Sequence, residues 1–139
     1  MAAMRKLEQT DFERLTAGLR AAPELVAGYC FGSQVDPDRR HPRDVDIAVL
    51  PRESLTLRRL LGLQAITTDA LGSDAVDLID FYQAGPVLAR QVITGGRLLF
   101  ARDQSLVNQF ELRALRAYQD CAYRRRIQRQ YLSGGQVRP

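Results

Sequence analysis

Two aspartates at alternate positions, Asp44 and Asp46, open the apolar run DVDIAVL, and a Gly-Ser pair, Gly32-Ser33, closes another apolar run with ten residues between the two motifs. In a strand, alternate residues share a face, so both carboxylates point the same way while Val45, Ile47 and Val49 point into the opposite layer. Their Cα atoms would lie about 6.6 Å apart. Two carboxylates at that spacing repel each other unless something positive lies between them. Together they can reach one or two hard cations. Magnesium takes one or two carboxylates and completes its shell with water and phosphate oxygens. The pair therefore suits metal-assisted phosphoryl or nucleotidyl transfer.

A further apolar run, AVDLIDF, carries Asp77 and Asp80. Their odd spacing puts them on opposite faces of a strand, so only one can join the first pair, and the residues alone do not choose between them. Gly32-Ser33 supplies a different function. Glycine lets backbone approach a ligand closely, a short helical turn after it would present free N–H groups to an anion, and Ser33 can donate its hydroxyl to a phosphate oxygen. A metal–nucleotide complex held between the two strand ends accounts for both motifs.

The elements that must position these residues follow from periodicity and punctuation. Thr10-Asp11-Phe12-Glu13 has the form of a capping box ahead of Leu15 and Leu19, which predicts a first helix ending before Pro23. Glu24 to Phe31 reads as a buried strand, residues 34–43 as a loop with at most one helical turn, and Asp44 to Leu50 as a second strand closed by Pro51. Leucines 57, 60, 61 and 63 predict an amphipathic helix from about Ser54 to Leu71. Ala75 to Phe81 is a third strand, Pro86 to Thr94 a short helix stopped by Gly95-Gly96, and Gly96 to Phe100 a fourth strand. Ser105 to about Tyr131 reads as one long helix capped by Ser105. The fold class expected is α/β (α+β): a small mixed sheet of about four strands flanked by helices, with a long C-terminal helix. A single domain over 1–132 and a frayed tail over 133–139 are expected.

Composition sets outer limits. At 139 residues the chain can bury a core of its own, and 45% hydrophobic with 26% charged residues is ordinary for a globular protein. No apolar run approaches the ~20 residues of a membrane span, and MAAMRKLEQTDFERL lacks the apolar core of a signal peptide. Cys30 and Cys121 match no metal or redox spacing, which fits a reduced cytoplasmic setting with both as small buried thiols. The net charge of +4 is uneven: residues 111–139 hold seven arginines against Glu111 and Asp120, a surplus of five, so the rest sums to −1.

The Gly-Ser, ten-residue, Asp-x-Asp pattern, with the later V-D-L strand and the GGRLLF strand, resembles minimal nucleotidyltransferases of the DNA polymerase β superfamily. It looks closest to the adenylyltransferase antitoxins of the MntA type, which work with HEPN-domain toxins. The resemblance covers Glu24 to about Arg102. It implies two magnesium ions and ATP as substrate, with Asp44, Asp46 and Asp77 as metal-binding and catalytic residues and Gly32 and Ser33 at the phosphates. It thereby favours Asp77 over Asp80. It also implies transfer of AMP to a tyrosine of the toxin, and a hetero-oligomer with that toxin. The sequence departs from the family at Arg43 and in the proline-rich, basic loop Asp36 to Pro42.

Other residues invite plainer readings. His41 is the single histidine, in a charged loop. Arg39, Arg40 and Arg43 can neutralise a triphosphate or simply be solvated. Tyr118, Tyr123 and Tyr131 with Arg124-Arg125-Arg126 have the composition of an RNA-binding surface and of a protein interface alike; helix packing with a wet basic face is the default, so direct nucleic-acid binding is not expected. The chain leaves no room for a second domain that would present an acceptor, which suits a protein substrate. An antitoxin acting by binding alone, or a nucleotidyltransferase of a small molecule or RNA, remain the alternatives.

Overall fold

The computed structural model describes residues 6–38 and 44–133. Arg39, Arg40, His41 and Arg43, and the tail from 134 on, lie outside the described residues. The elements run α1 (Gln9–Arg20), β1 (Leu25–Phe31), a 3-10 turn (Gly32–Gln34), β2 (Val45–Pro51), α2 (Leu57–Leu71), β3 (Val76–Asp80), a second 3-10 turn (Phe81–Gln83), α3 (Pro86–Gly95), β4 (Arg97–Ala101) and α4 (Gln104–Leu132). The four strands form one sheet in the order β3-β2-β1-β4. β1 pairs antiparallel with β2 and β4, while β2 and β3 are parallel. A parallel neighbour requires a crossover, and α2 supplies it.

Strand alternation divides the core into two layers. Cys30, Val45, Ile47, Val49, Val76 and Leu78 pack with Phe12, Leu15 and Leu19 of α1 and Leu63 of α2. Tyr29, Ala48 and Leu50 pack on the other face with Ala89 and Val92 of α3 and Val107 of α4. Tyr29 anchors the second layer: its hydroxyl donates to Glu111 Oε1 at 2.7 Å, and its ring meets Phe81 edge-on at 5.2 Å. Burial and the Glu111 carboxylate push the Tyr29 phenol well above its ordinary range, so it stays protonated as a donor.

Several ends fall where side-chain partners put them. α1 begins two residues earlier than the Thr10 box predicts: Glu8 is the N-cap, and its N–H donates to Asp11 Oδ2 at 2.8 Å. Asp11 is 1% exposed and also meets Arg14 at 2.7 Å, so it, and not Glu13, completes the box. α4 starts at Gln104 because the Asp103 carboxylate, not Ser105, accepts Leu106 N–H at 3.2 Å. α2 starts at Leu57, capped by Thr56, because Ser54 and Leu55 are engaged elsewhere; Gly72 ends it at φ 65°. Of the two thiols expected to be buried, Cys30 is and Cys121 is only half-buried on α4.

What holds Ser54 and Leu55 is Asp80. This carboxylate is 3% exposed; it accepts the Ser54 hydroxyl at 3.2 Å and Leu55 N–H at 2.9 Å, and Tyr82 N–H at 2.9 Å. Asp80 thus ties the end of β2 to the end of β3 on the α2 face. Asp77, three residues earlier, is exposed on the other face. Removing a buried acceptor strands its donors. Asp80→Ala should therefore lower unfolding stability by about 3 kcal/mol in chemical denaturation, whereas Asp77→Ala should stay within about 0.5 kcal/mol of the parent.

Candidate active site

The pairing register gathers three of the acids. Phe31 lies opposite Asp46 across the antiparallel pair, and Asp46 lies opposite Asp77 across the parallel pair. Directly opposed residues on neighbouring strands share a face about 4.8 Å apart. Asp44 immediately precedes β2 and is exposed; Asp46 is half-buried. Burial pushes the Asp46 carboxyl above its ordinary value, and the negative charges of Asp77 and then Asp44 push it the same way. The three carboxylates therefore share one electrostatic neighbourhood, while Asp80 belongs to the opposite face and to the fold.

The Gly-Ser turn closes on this cluster from β1. Gly32 has φ 76°, a left-handed conformation that favours glycine. The position is also crowded: a Cβ there would overlap the Asp46 carboxylate oxygen and stand 3.3 Å from its Cγ. Backbone and carboxylate thus touch only because residue 32 has no side chain. Ser33 donates to the Asp44 carbonyl at 3.4 Å, a long bond that a better acceptor displaces. The turn is braced from behind. Leu7 N–H donates to Oε1 of Gln34, itself 3% exposed, at 2.9 Å, and Lys6 Nζ donates to the Asp36 carbonyl at 3.0 Å.

Behind the cluster, Cys30 is pushed up to about 12 by burial and by the charge of Asp46, against the opposing pull of Arg97, so its thiol is inert. In front lies a cleft of about 580 Å³, within the range of small-molecule sites. Its lining includes Gly32, Ser33 and Asp46, and also Phe31, Asp36, Pro37, Gln91 and Gly95. Gln91 and Gly95 belong to α3, far along the chain; Gly95 is part of the helix stop, and no motif marks Gln91. Another cleft of about 400 Å³ between α1 and β4 has Glu13 as its one acid and no carboxylate pair.

A magnesium ion fits these residues. Among the described residues no three acidic, histidine or cysteine side chains close into a ready-made metal cage. Magnesium does not need one: it commonly takes one or two carboxylates, with water and phosphate oxygens filling its shell. Half-buried Asp46, pressed by two like charges and facing a cleft, is the hard-oxygen donor set such an ion neutralises. Without an ion the cluster opposes folding. Because Asp46 titrates higher in the folded chain than in the unfolded one, its contribution is fully favourable below the ordinary aspartate range and is lost as pH rises through the raised value. Asp46→Asn should thus melt about 2–4 °C above the parent at neutral pH with EDTA, the gap shrinking toward pH 4. Magnesium should raise the parent's melting temperature and leave that of the variant where it was.

Residues 13–105 match the family described as polymerase beta nucleotidyltransferase. Protein adenylyltransferase MntA of Shewanella oneidensis is 38% identical over 82 residues, covering 59% of this chain and 58% of the relative, so the match spans less than two thirds of that relative. A chain from the tri-AMPylated HEPN toxin in complex with MNT antitoxin, also from Shewanella oneidensis, superposes with a TM-score of 0.71 at 31% identity, over 91% of this chain and 99% of that one. A toxin-antitoxin structure with AMP-PNP gives 0.71 at 32% identity, over 87% of this chain and 98% of that one. The matched segment, residues 13–105, holds the Gly-Ser turn, β2 and β3, and the chain belongs to the polymerase β nucleotidyltransferase family.

Proposed function

We propose that the chain is a magnesium-dependent protein adenylyltransferase that moves AMP from ATP onto a tyrosine of a HEPN-domain toxin, and so acts as that toxin's antitoxin in the cytoplasm. One observation carries the reading: Asp46 stands opposite Asp77 on the cleft face, against a glycine whose missing side chain makes room for the carboxylate. The similarity to MntA and to toxin-antitoxin complexes supports the choice of reaction and of partner. The length of α4, exposed at Tyr123, Tyr131 and Leu132, supports a protein acceptor over a small one.

In this reading Asp44 and Asp46 hold the magnesium ions and Asp77 completes the set. The ions supply Lewis-acid charge for the triphosphate and the developing negative charge. The chain's own residues do the rest. Gly32 and Ser33 hold the pyrophosphate end, the Ser33 hydroxyl leaving the Asp44 carbonyl for a phosphate oxygen. The acceptor tyrosine oxygen attacks the α-phosphorus, the bond from that phosphorus to the bridging oxygen breaks, and pyrophosphate departs. Exposed Asp77 takes the phenolic proton. Positioning of the attacking oxygen in line with the leaving group is the protein's largest contribution.

The test is the intact mass of a HEPN-domain partner after incubation with the chain, ATP and magnesium. One or more adenylyl additions should appear, and fall by about a thousandfold or more in rate with Asp44→Asn or Asp46→Asn. Gly32→Ala should abolish transfer as well, by displacing the Asp46 carboxylate, while circular dichroism still reports a folded chain. A stable complex without any mass gain would instead mark an antitoxin that works by binding alone.

A further inference from the structure

The cleft has a second wall that the transfer chemistry does not use. α3 crosses from β3 at one edge of the sheet to β4 at the other, and its last turn comes to rest against the end of β1. A side-chain carbon on Gly96, the residue that follows it, would come within 3.2 Å of the Cys30 carbonyl. Gln91 and Gly95 line the same cleft as Phe31, Asp46 and the turn residues Gly32, Ser33, Asp36 and Pro37. Gln91 is exposed, and its carboxamide makes no hydrogen bond to protein among the described residues.

A triphosphate held at Asp46 and Ser33 would occupy one end of this space and leave the remainder for the nucleoside, where Gln91 is the polar α3 side chain in the lining. A carboxamide offers a donor beside an acceptor. That pattern pairs in two-point fashion with the N6 amino group and N7 of adenine, and mismatches guanine, whose O6 and N7 both accept. The half-buried Phe31 ring offers an apolar surface for the face of the base.

We propose that Gln91 is the residue that selects the nucleobase, favouring adenine over guanine. The proposal rests on the reading of this cleft as a nucleotide site, and deepens it. The opposite hydrogen-bond pattern, two donors, is what guanine's O6 and N7 accept, and arginine supplies it.

The experiment is equilibrium titration of the full chain with AMP-PNP and with GMP-PNP in magnesium, for the parent, Gln91→Ala and Gln91→Arg, each checked for folding by its thermal melt. The parent should bind AMP-PNP about tenfold or more tightly than GMP-PNP. Gln91→Ala should bring the two within about threefold, and Gln91→Arg should reverse the order. An affinity ratio that is the same in all three proteins, or a parent without adenine preference, overturns the proposal and leaves the transferase reading intact. Selective binding without any transfer to a HEPN partner overturns the transferase and leaves Gln91 in its role. A parent that binds neither nucleotide overturns both.

Discussion

Like-charge repulsion at one end of the sheet is the constraint around which the rest is arranged. Asp46 and Asp77 face each other because β2 and β3 are parallel and in this register, and Asp44 adds its charge from just before β2. A shift of one residue in either strand would exchange Asp77 for a core side chain, since Val76 and Leu78 fill the layer beneath. The apolar residues between the acids therefore fix the acids in place. The energy that holds them is the burial of Val45, Ile47, Val49, Val76 and Leu78, each removed from water on the far face of the same two strands.

The Gly-Ser turn depends on that arrangement and is supported from outside the sheet. Its conformation needs φ 76° at Gly32, and its position needs Lys6, Leu7 and buried Gln34 to tether it to the segment before α1. The site is thus assembled from two strand ends and a turn, with the segment before α1 behind them, and the crossover helix α3 closes its open side. Rigid elements place each group, in keeping with the need for positioning in transfer chemistry.

Much of this was legible in the sequence because it is written in short-range pattern. Period-two alternation located β2 and β3 and said which aspartates share a face; Gly95-Gly96 marked the end of α3. Helix starts were less legible. The Thr10-to-Glu13 box has the right letters, yet Glu8 and Asp11 make the cap, because Asp11 is buried where Glu13 is not. Ser54 looked helical and instead serves Asp80, a contact set by how β2 and β3 lie side by side. Residue spacing alone left Asp77 and Asp80 open; the family resemblance favoured Asp77, and the register puts Asp77 opposite Asp46. Gln91 could not be found at all by motif, because its place in the cleft comes from the path of a crossover and not from its neighbours in the chain.

α4 spans 29 residues, about 43 Å at the helical rise, longer than the rest of a domain of this size is wide. Val107, Phe110 and Ala114 seat its first half on the sheet, and Arg90 stacks on Tyr118 at 4.7 Å. Beyond that point the helix carries three consecutive arginines and side chains as open as Leu132, at 88% exposure. The stretch beyond Tyr118 is of about the length at which an isolated helix is marginal in water. Its amides should thus exchange with solvent at rates set by local fraying, not by global unfolding. The distal half is, in effect, a built-in gauge of assembly: its protection from exchange measures how much of the protein's order is lent by whatever it leans on.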